Sequence, residues 1–330
     1  MRVSRFGVTL TTLFLVPTLL WAVSPTAAAA ARDCTADERA EGNAQLMAIR
    51  GDPTRQATII KRHLPFGAHI GRHASQGGPD NEDLLLQEGY ALLHDTDLRT
   101  GLWVSYKLTG ADIVGAEGKD RVNCFRTDPR FTSATTAIKS DYDEPIYDQG
   151  HLANDADMKD DLIEQINTYM MSNMSPQHCR FNRGVWLSLE HIGRIWAEKY
   201  ETIYITSGAI FDFNSRDRRD KDISAGRMGS RNQKARVAIP SDYYKIFLRE
   251  KADTWHSIAF LLEHNNTQNG ITWEEIRPLV KASITTIEAV EQHAEVTFHP
   301  NLNRNQLVQS TDGDHWDFQT GKANFEGGCK

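Results

Sequence analysis

The chain has 330 residues, 40% hydrophobic and 25% charged, a folded globular composition that excludes disordered and collagen-like classes. No apolar run reaches the ~20 residues of a spanning helix, which excludes a polytopic membrane protein. Lys and Arg number 37 against 44 Asp and Glu, a net charge of −7. That acidity argues against a polyphosphate partner, which would favour a basic surface.

Residues 1–30 read as a leader outside the fold. Arg2 and Arg5 open it, Val8 to Val23 is largely apolar with Pro17 inside, and Ala27 to Ala31 offers small-residue cleavage sites. This is the layout of a secretory signal peptide. Its removal leaves 35 basic against 44 acidic residues, a net of −9, and one domain over 31–330. The expected location is secreted or periplasmic, with no membrane attachment after cleavage. The four cysteines, Cys34, Cys124, Cys179 and Cys329, are then expected to form two disulfides. Chain termini often lie close together, which favours Cys34–Cys329 with Cys124–Cys179. No CxxC pair supports zinc.

The segment from 32 to about 60 reads as helical and 64–84 as irregular. Leu102 to Leu108 alternates and reads as a strand; 110–147 is loop-rich. Met158 to Met171 and Asn182 to Tyr200 read as helices, the second with a core stripe of Val185, Leu189, Ile192 and Trp196. Strands follow at Thr202–Phe211, Tyr243–Leu248 and Ile258–Leu262, then a helix at Ile284–His293. Without regular βαβ alternation, this order predicts an α+β fold with a central antiparallel sheet flanked by helices. The acidic stretches 80–97 and 139–164 read as solvated faces. Asp155, Asp157, Asp160 and Asp161 lack the glycine and terminal glutamate of an EF-hand.

The chemistry is concentrated between Asp148 and Arg194. Asp148-Gln-Gly-His-Leu152 comes first, then Ser172-Asn-Met-Ser-Pro-Gln177. Phe181-Asn-Arg-Gly-Val-Trp186 and Leu187-Ser-Leu-Glu190 follow. Each piece alone is weak; Asn182 by itself would be read as a helix cap. In this order and spacing they resemble the DNA/RNA non-specific endonuclease family, the ββα-metal or His-Me finger class. Its Asp-Arg-Gly-His block matches 148–151 with Gln149 in place of Arg. The likeness extends to Arg99 before Trp103-Val-Ser-Tyr-Lys107, Thr127-Asp-Pro129, Ser207-Gly-Ala209 and Ile239 to Lys245, and covers roughly residues 88–310.

The resemblance implies a metal-dependent endonuclease that hydrolyses DNA and RNA with little sequence preference. His151 is then the general base that activates water. Asn182 ligates one hydrated Mg²⁺, with Mn²⁺ or another divalent ion as the alternative. Glu190 holds a metal-bound water and pairs with Arg194 one helical turn on. Arg99 grips phosphate bidentately, and Asn173 orients the site. The uncharged Gln149 leaves room for another reading, a nucleic-acid-binding or toxin-like protein of weakened catalysis on the same fold. Arg180 or Arg183 is a candidate to compensate.

From Arg216 to Arg236 the chain carries eight basic residues and three acids, net +5 in 21 residues. Arg216, Arg219, Arg227 and Arg231 in this stripe are the expected backbone contacts for DNA and RNA. The expected oligomeric state is monomer or homodimer.

Overall fold

The computed structural model describes Met1 and residues 31–71, 82–211, 226–229, 236–265, 272–318 and 329. Residues 2–30 of the expected leader, and Arg216, Arg219 and Arg231 of the basic stripe, lie outside them. Among the described residues no helix is long and apolar enough to cross a membrane.

The alternating segment around Trp103 forms the strand Thr100–Thr109, as expected from its aromatic and β-branched residues. It sits inside an eight-stranded sheet. The order runs Ile284–Thr285, Thr254–Glu263, Asp242–Lys251, Thr202–Ile210, Thr100–Thr109, Ala91–Asp95, Glu82–Leu86. Neighbours along this path are antiparallel. Leu307–Ser310 adds to Thr254–Glu263 in parallel. The architecture is α+β with a central antiparallel sheet.

The first two strands of the sheet, Glu82–Leu86 and Ala91–Asp95, fall in a stretch expected to be a solvated face. Burial explains the error. Ala91 to Asp95 are all buried, and Asp95 Oδ1 accepts the backbone N–H groups of Asp97 and Leu98 at 2.7 and 2.8 Å. In the second acidic stretch, Asp141, Asp155 and Asp157 are also buried. Each meets an arginine: Asp141–Arg236 at 2.5 Å, Asp155–Arg121 and Asp157–Arg194 at 2.9 Å. Buried carboxylates survive when paired in this way.

The helical segment from 32 to 60 is two helices, Ala36–Arg50 and Pro53–His63. Gly51 ends the first, and Asp52 caps the second by accepting from Thr54 and Arg55 N–H at 3.0 Å. The helix Leu187–Tyr200 buries Leu189, Ile192 and Trp196 as expected. A fully buried side chain of this size contributes roughly 1.5–3 kcal/mol. Trp196 meets the Phe247 ring edge-on at 5.0 Å. Gly193 permits that approach, since a Cβ there would lie 3.0 Å from Phe247 Cε1.

The disulfides differ from expectation. They join Cys34 to Cys124 and Cys179 to Cys329, each with Cα atoms 5.2 Å apart. Cys34 is held next to Cys124 because Arg32–Asp33 pairs in parallel with Val122–Asn123. The terminal cysteines are therefore drawn to different partners rather than to each other. The bridges span 90 and 150 residues, loops whose closure is worth about 4–5 kcal/mol each in the chain-entropy model. Dithiothreitol is expected to lower the urea midpoint of unfolding; an unchanged midpoint under complete reduction would refute a stabilising role.

Candidate active site

The functional residues meet on a separate hairpin and the helix that follows it. Tyr147–His151 pairs antiparallel with Met174–His178, placing His151 opposite Met174 and Gln149 opposite Pro176. Neither strand has the alternation that announces one, so both were missed in the sequence. Gly150 is required because a Cβ there would collide with the Gln177 side chain. The chain then turns through Cys179–Phe181 into a π-helical turn, Asn182–Trp186, kinked at Gly184, and on into Leu187–Tyr200. Such π turns recur at functional sites. Trp186 Nε1 donates to the His151 carbonyl at 3.1 Å, tying helix to hairpin.

Strand, helix and intervening loop wall a cleft of about 650 Å³. His151, Gln149, Asn182, Glu190 and Arg194 line it, together with Asp148 of the same motif, Asp155, and three residues the sequence did not single out, Arg121, Lys159 and His191. Five of the six expected catalytic and metal residues other than Asn173 thus share one cavity. Arg99 does not line it. Arg99 follows the turn that starts at Asp95, with φ 61°. It sits in the electrostatic field of Arg236, Asp141 and Arg227. The exposed arginine in the cleft is instead Arg121, whose side chain remains 51% accessible. No motif signalled Arg121, because the match rested on the spacing of Arg99 from a strand that lies in the central sheet.

His151 is 9% exposed, with Nε2 buried and lacking a hydrogen-bond partner. Tyr169 packs edge-on against its ring at 4.7 Å. Burial pushes its pKa down to about 4, with Asp155 pulling up and Arg121 pushing down. The imidazole is therefore neutral at neutral pH and can accept a proton. Behind it, Asp155 accepts from Arg121 Nε and Nη2 at 2.9 and 3.0 Å and from Tyr169 OH at 2.9 Å. Burial works against the Asp155 charge, but His151, Arg121 and these hydrogen bonds hold the carboxyl below its ordinary value.

Asn173 is fully buried and does not touch the cleft. Its Oδ1 accepts Ala153 N–H at 2.9 Å, and its Nδ2 donates to the carbonyls of Ala153 and Thr168 at 2.9 and 2.8 Å. It fixes the backbone directly after His151, which is an orienting role.

Glu190 and Arg194 are not paired as expected. Arg194 Nη1 donates to Asp157 Oδ1 at 2.9 Å, and Asp157 also takes Tyr106 OH at 2.7 Å and Asn154 Nδ2 at 3.1 Å. Asp157 is buried and rigidly framed, so it captures the guanidinium. Burial raises Glu190, against the pull of Lys245 and Arg194. Lys245 is itself buried on the central sheet, donating to Ser207 Oγ at 2.8 Å and lying 4.2 Å over the Trp186 ring.

For a hard divalent ion, the fit is decided at Asn182. Asp148 Oδ2 accepts from Asn182 Nδ2 at 3.0 Å, which turns the amide so that Oδ1 is the atom offered as a ligand. Oxygen donors suit Mg²⁺ or Mn²⁺. In the basic stripe, Arg227 spends Nη1 on the carbonyls of Asp97 and Arg236 at 2.8 Å. Arg236 pairs with Asp141.

Residues 72–305 match the model of the DNA/RNA non-specific endonuclease family. The chain belongs to this family. Mitochondrial endonuclease G of Caenorhabditis elegans is 28% identical over 268 residues, covering 81% of this chain and 79% of the relative. Human mitochondrial endonuclease G is 27% identical over 232 residues, 70% and 74% of the two chains. A chain in the crystal structure of the EndoG/EndoGI complex superposes with a TM-score of 0.60 at 23% identity, over 78% of this chain and 96% of that one. It shares the fold.

These relatives correct one expectation. Both named endonucleases are mitochondrial proteins, which overturns the secreted or periplasmic location read from the first thirty residues. The acidic total charge does not describe the cleft, whose lining mixes Arg121, Lys159, Arg183 and Arg194 with Asp148, Asp155 and Glu190.

Proposed function

We propose that the protein cuts phosphodiester bonds in DNA and RNA with little sequence preference, using His151 as general base and a divalent ion, Mg²⁺ or Mn²⁺, on Asn182. The observation that carries this reading is a buried, neutral His151 with an unpartnered Nε2 in the same cleft as an Asn182 amide turned to offer its oxygen.

His151 takes a proton from a water in the cleft, and its enclosure by Tyr169 and Phe125 limits competing solvent. Arg121, anchored on Asp155 and half-exposed, contacts the phosphate in the place expected of Arg99. Glu190 on the helix wall orients water. The ion, when bound, neutralises charge on the phosphate and the departing oxygen. Asn173 and Trp186 keep the His151 backbone in register with the helix.

The test is incubation of the protein with supercoiled plasmid and with RNA, with and without EDTA. Cleavage of both that stops with EDTA and returns with excess Mg²⁺ is the expected result. Cleavage that continues in EDTA refutes the metal reading, and tight binding without cleavage refutes the catalytic one.

A further inference from the structure

Asp148 joins two consecutive side chains of the π-helical turn. Besides the Asn182 amide at 3.0 Å, its carboxylate receives the Arg183 guanidinium at both oxygens, from Nε at 2.8 Å and Nη2 at 2.7 Å. All three side chains line the cleft beside the neutral Gln149. The Arg183 and Asp148 side chains keep 27% and 19% exposure, so the pair forms part of the wall rather than its foundation.

The pairing has an electrostatic consequence. The Asp148 carboxylate sits on the nitrogen side of the Asn182 amide, and a carboxylate is a stronger ligand for a hard divalent ion than an amide oxygen is. The Arg183 fork engages both Asp148 oxygens and cancels their charge. The amide oxygen of Asn182 is then the group offered to the ion. A neutral ligand binds more weakly but leaves the ion its full charge for the phosphate.

We propose that Arg183 is a positioning residue that keeps Asp148 out of the metal's ligand set, so that the site remains a weak, amide-ligated one. The proposal rests on Asn182 being the metal ligand. It assigns Arg183 a role distinct from replacing an arginine at position 149.

The full chain and the variants R183Q, R183K, D148N, D148N/R183Q and N182A would be titrated calorimetrically with Mn²⁺ in the absence of nucleic acid. Thermal melts followed by circular dichroism establish that each is folded. R183Q is expected to bind Mn²⁺ about tenfold more tightly, a change typical of groups that hold a ligand's neighbours. Its KM for plasmid DNA should rise about tenfold, because an anion is uncovered in the cleft. R183K should return both values toward the parent. D148N keeps an acceptor for Asn182 but uncovers the Arg183 cation, so its Mn²⁺ affinity should fall below the parent's, by up to about tenfold. D148N/R183Q should lose the gain seen in R183Q. A folded R183Q with equal or weaker Mn²⁺ affinity, a double variant that keeps the gain, or a D148N that binds Mn²⁺ more tightly than the parent each overturns the proposal. Parent affinity no higher than that of N182A removes the underlying ligand assignment as well. Loss in N182A with no change in R183Q removes the role of Arg183 alone.

Discussion

Replacing His151 with alanine is expected to lower kcat by about 10²–10⁴-fold, the usual contribution of a positioned general base. The substitution removes a ring that is packed against Tyr169 but makes no hydrogen bond through Nε2, so binding of nucleic acid should persist. The pH profile of the parent gives an independent reading. A base with its pKa held at about 4 by burial is active wherever it is unprotonated. The kcat/KM should therefore be level from about pH 8 to about pH 5 and fall as pH drops further. Stability follows the same sign. The unfolded chain protonates this histidine near its ordinary pKa and the folded chain only near 4, so the stability held above the unfolded value is lost as pH falls between them. A kcat within about threefold of the parent in the alanine variant would sink the assignment of His151, whereas an acid limb at the ordinary imidazole pKa would show that burial does not depress the base in the working enzyme.

The second large effect is expected at Asn173. An Asn173→Leu change keeps the approximate volume but strips partners from Ala153 N–H and from the Ala153 and Thr168 carbonyls. Each orphaned buried group costs about 1–3 kcal/mol, so urea unfolding should show a loss of roughly 3–9 kcal/mol. Cleavage should fall as well, because the freed backbone follows His151 directly. A loss under about 1 kcal/mol would mean that water replaces the amide and that Asn173 does not anchor the loop.

The two predictions mark a boundary in what could be read from the chain. Residue types with a narrow chemical use were legible. His151 and Asn182 stand in motifs whose spacing carries the family, and the structure places them in one cleft. The strand around Trp103 and the stripe Leu189, Ile192 and Trp196 were legible for a different reason: their periodicity follows directly from strand and helix geometry.

Pairing across the fold was not legible. The partners of Cys34 and Cys179 depend on which strands lie side by side, and chain order does not encode that. The carboxylates Asp95, Asp141, Asp155 and Asp157 look like solvated charges until the sheet and its loops enclose them. Arg194 sits one turn from Glu190, where helix geometry suggests an ion pair, yet the buried Asp157 outcompetes it. The motif spacing favoured Arg99 over Arg121, yet the cleft takes Arg121 and leaves Arg99 at a turn.

Residue types and their spacing were enough to place the chain in the endonuclease family, because few residue types in few spacings make up its motifs. The sequence also determined the α+β class through local periodicity. The tertiary structure alone decided which charges face each other. Electrostatic partnership falls off over a few ångströms, while the residues concerned lie tens of positions apart in the chain. The acidic total charge is the clearest case: it is a sum over the whole surface, whereas the charges lining the cleft are the few that folding gathers around His151.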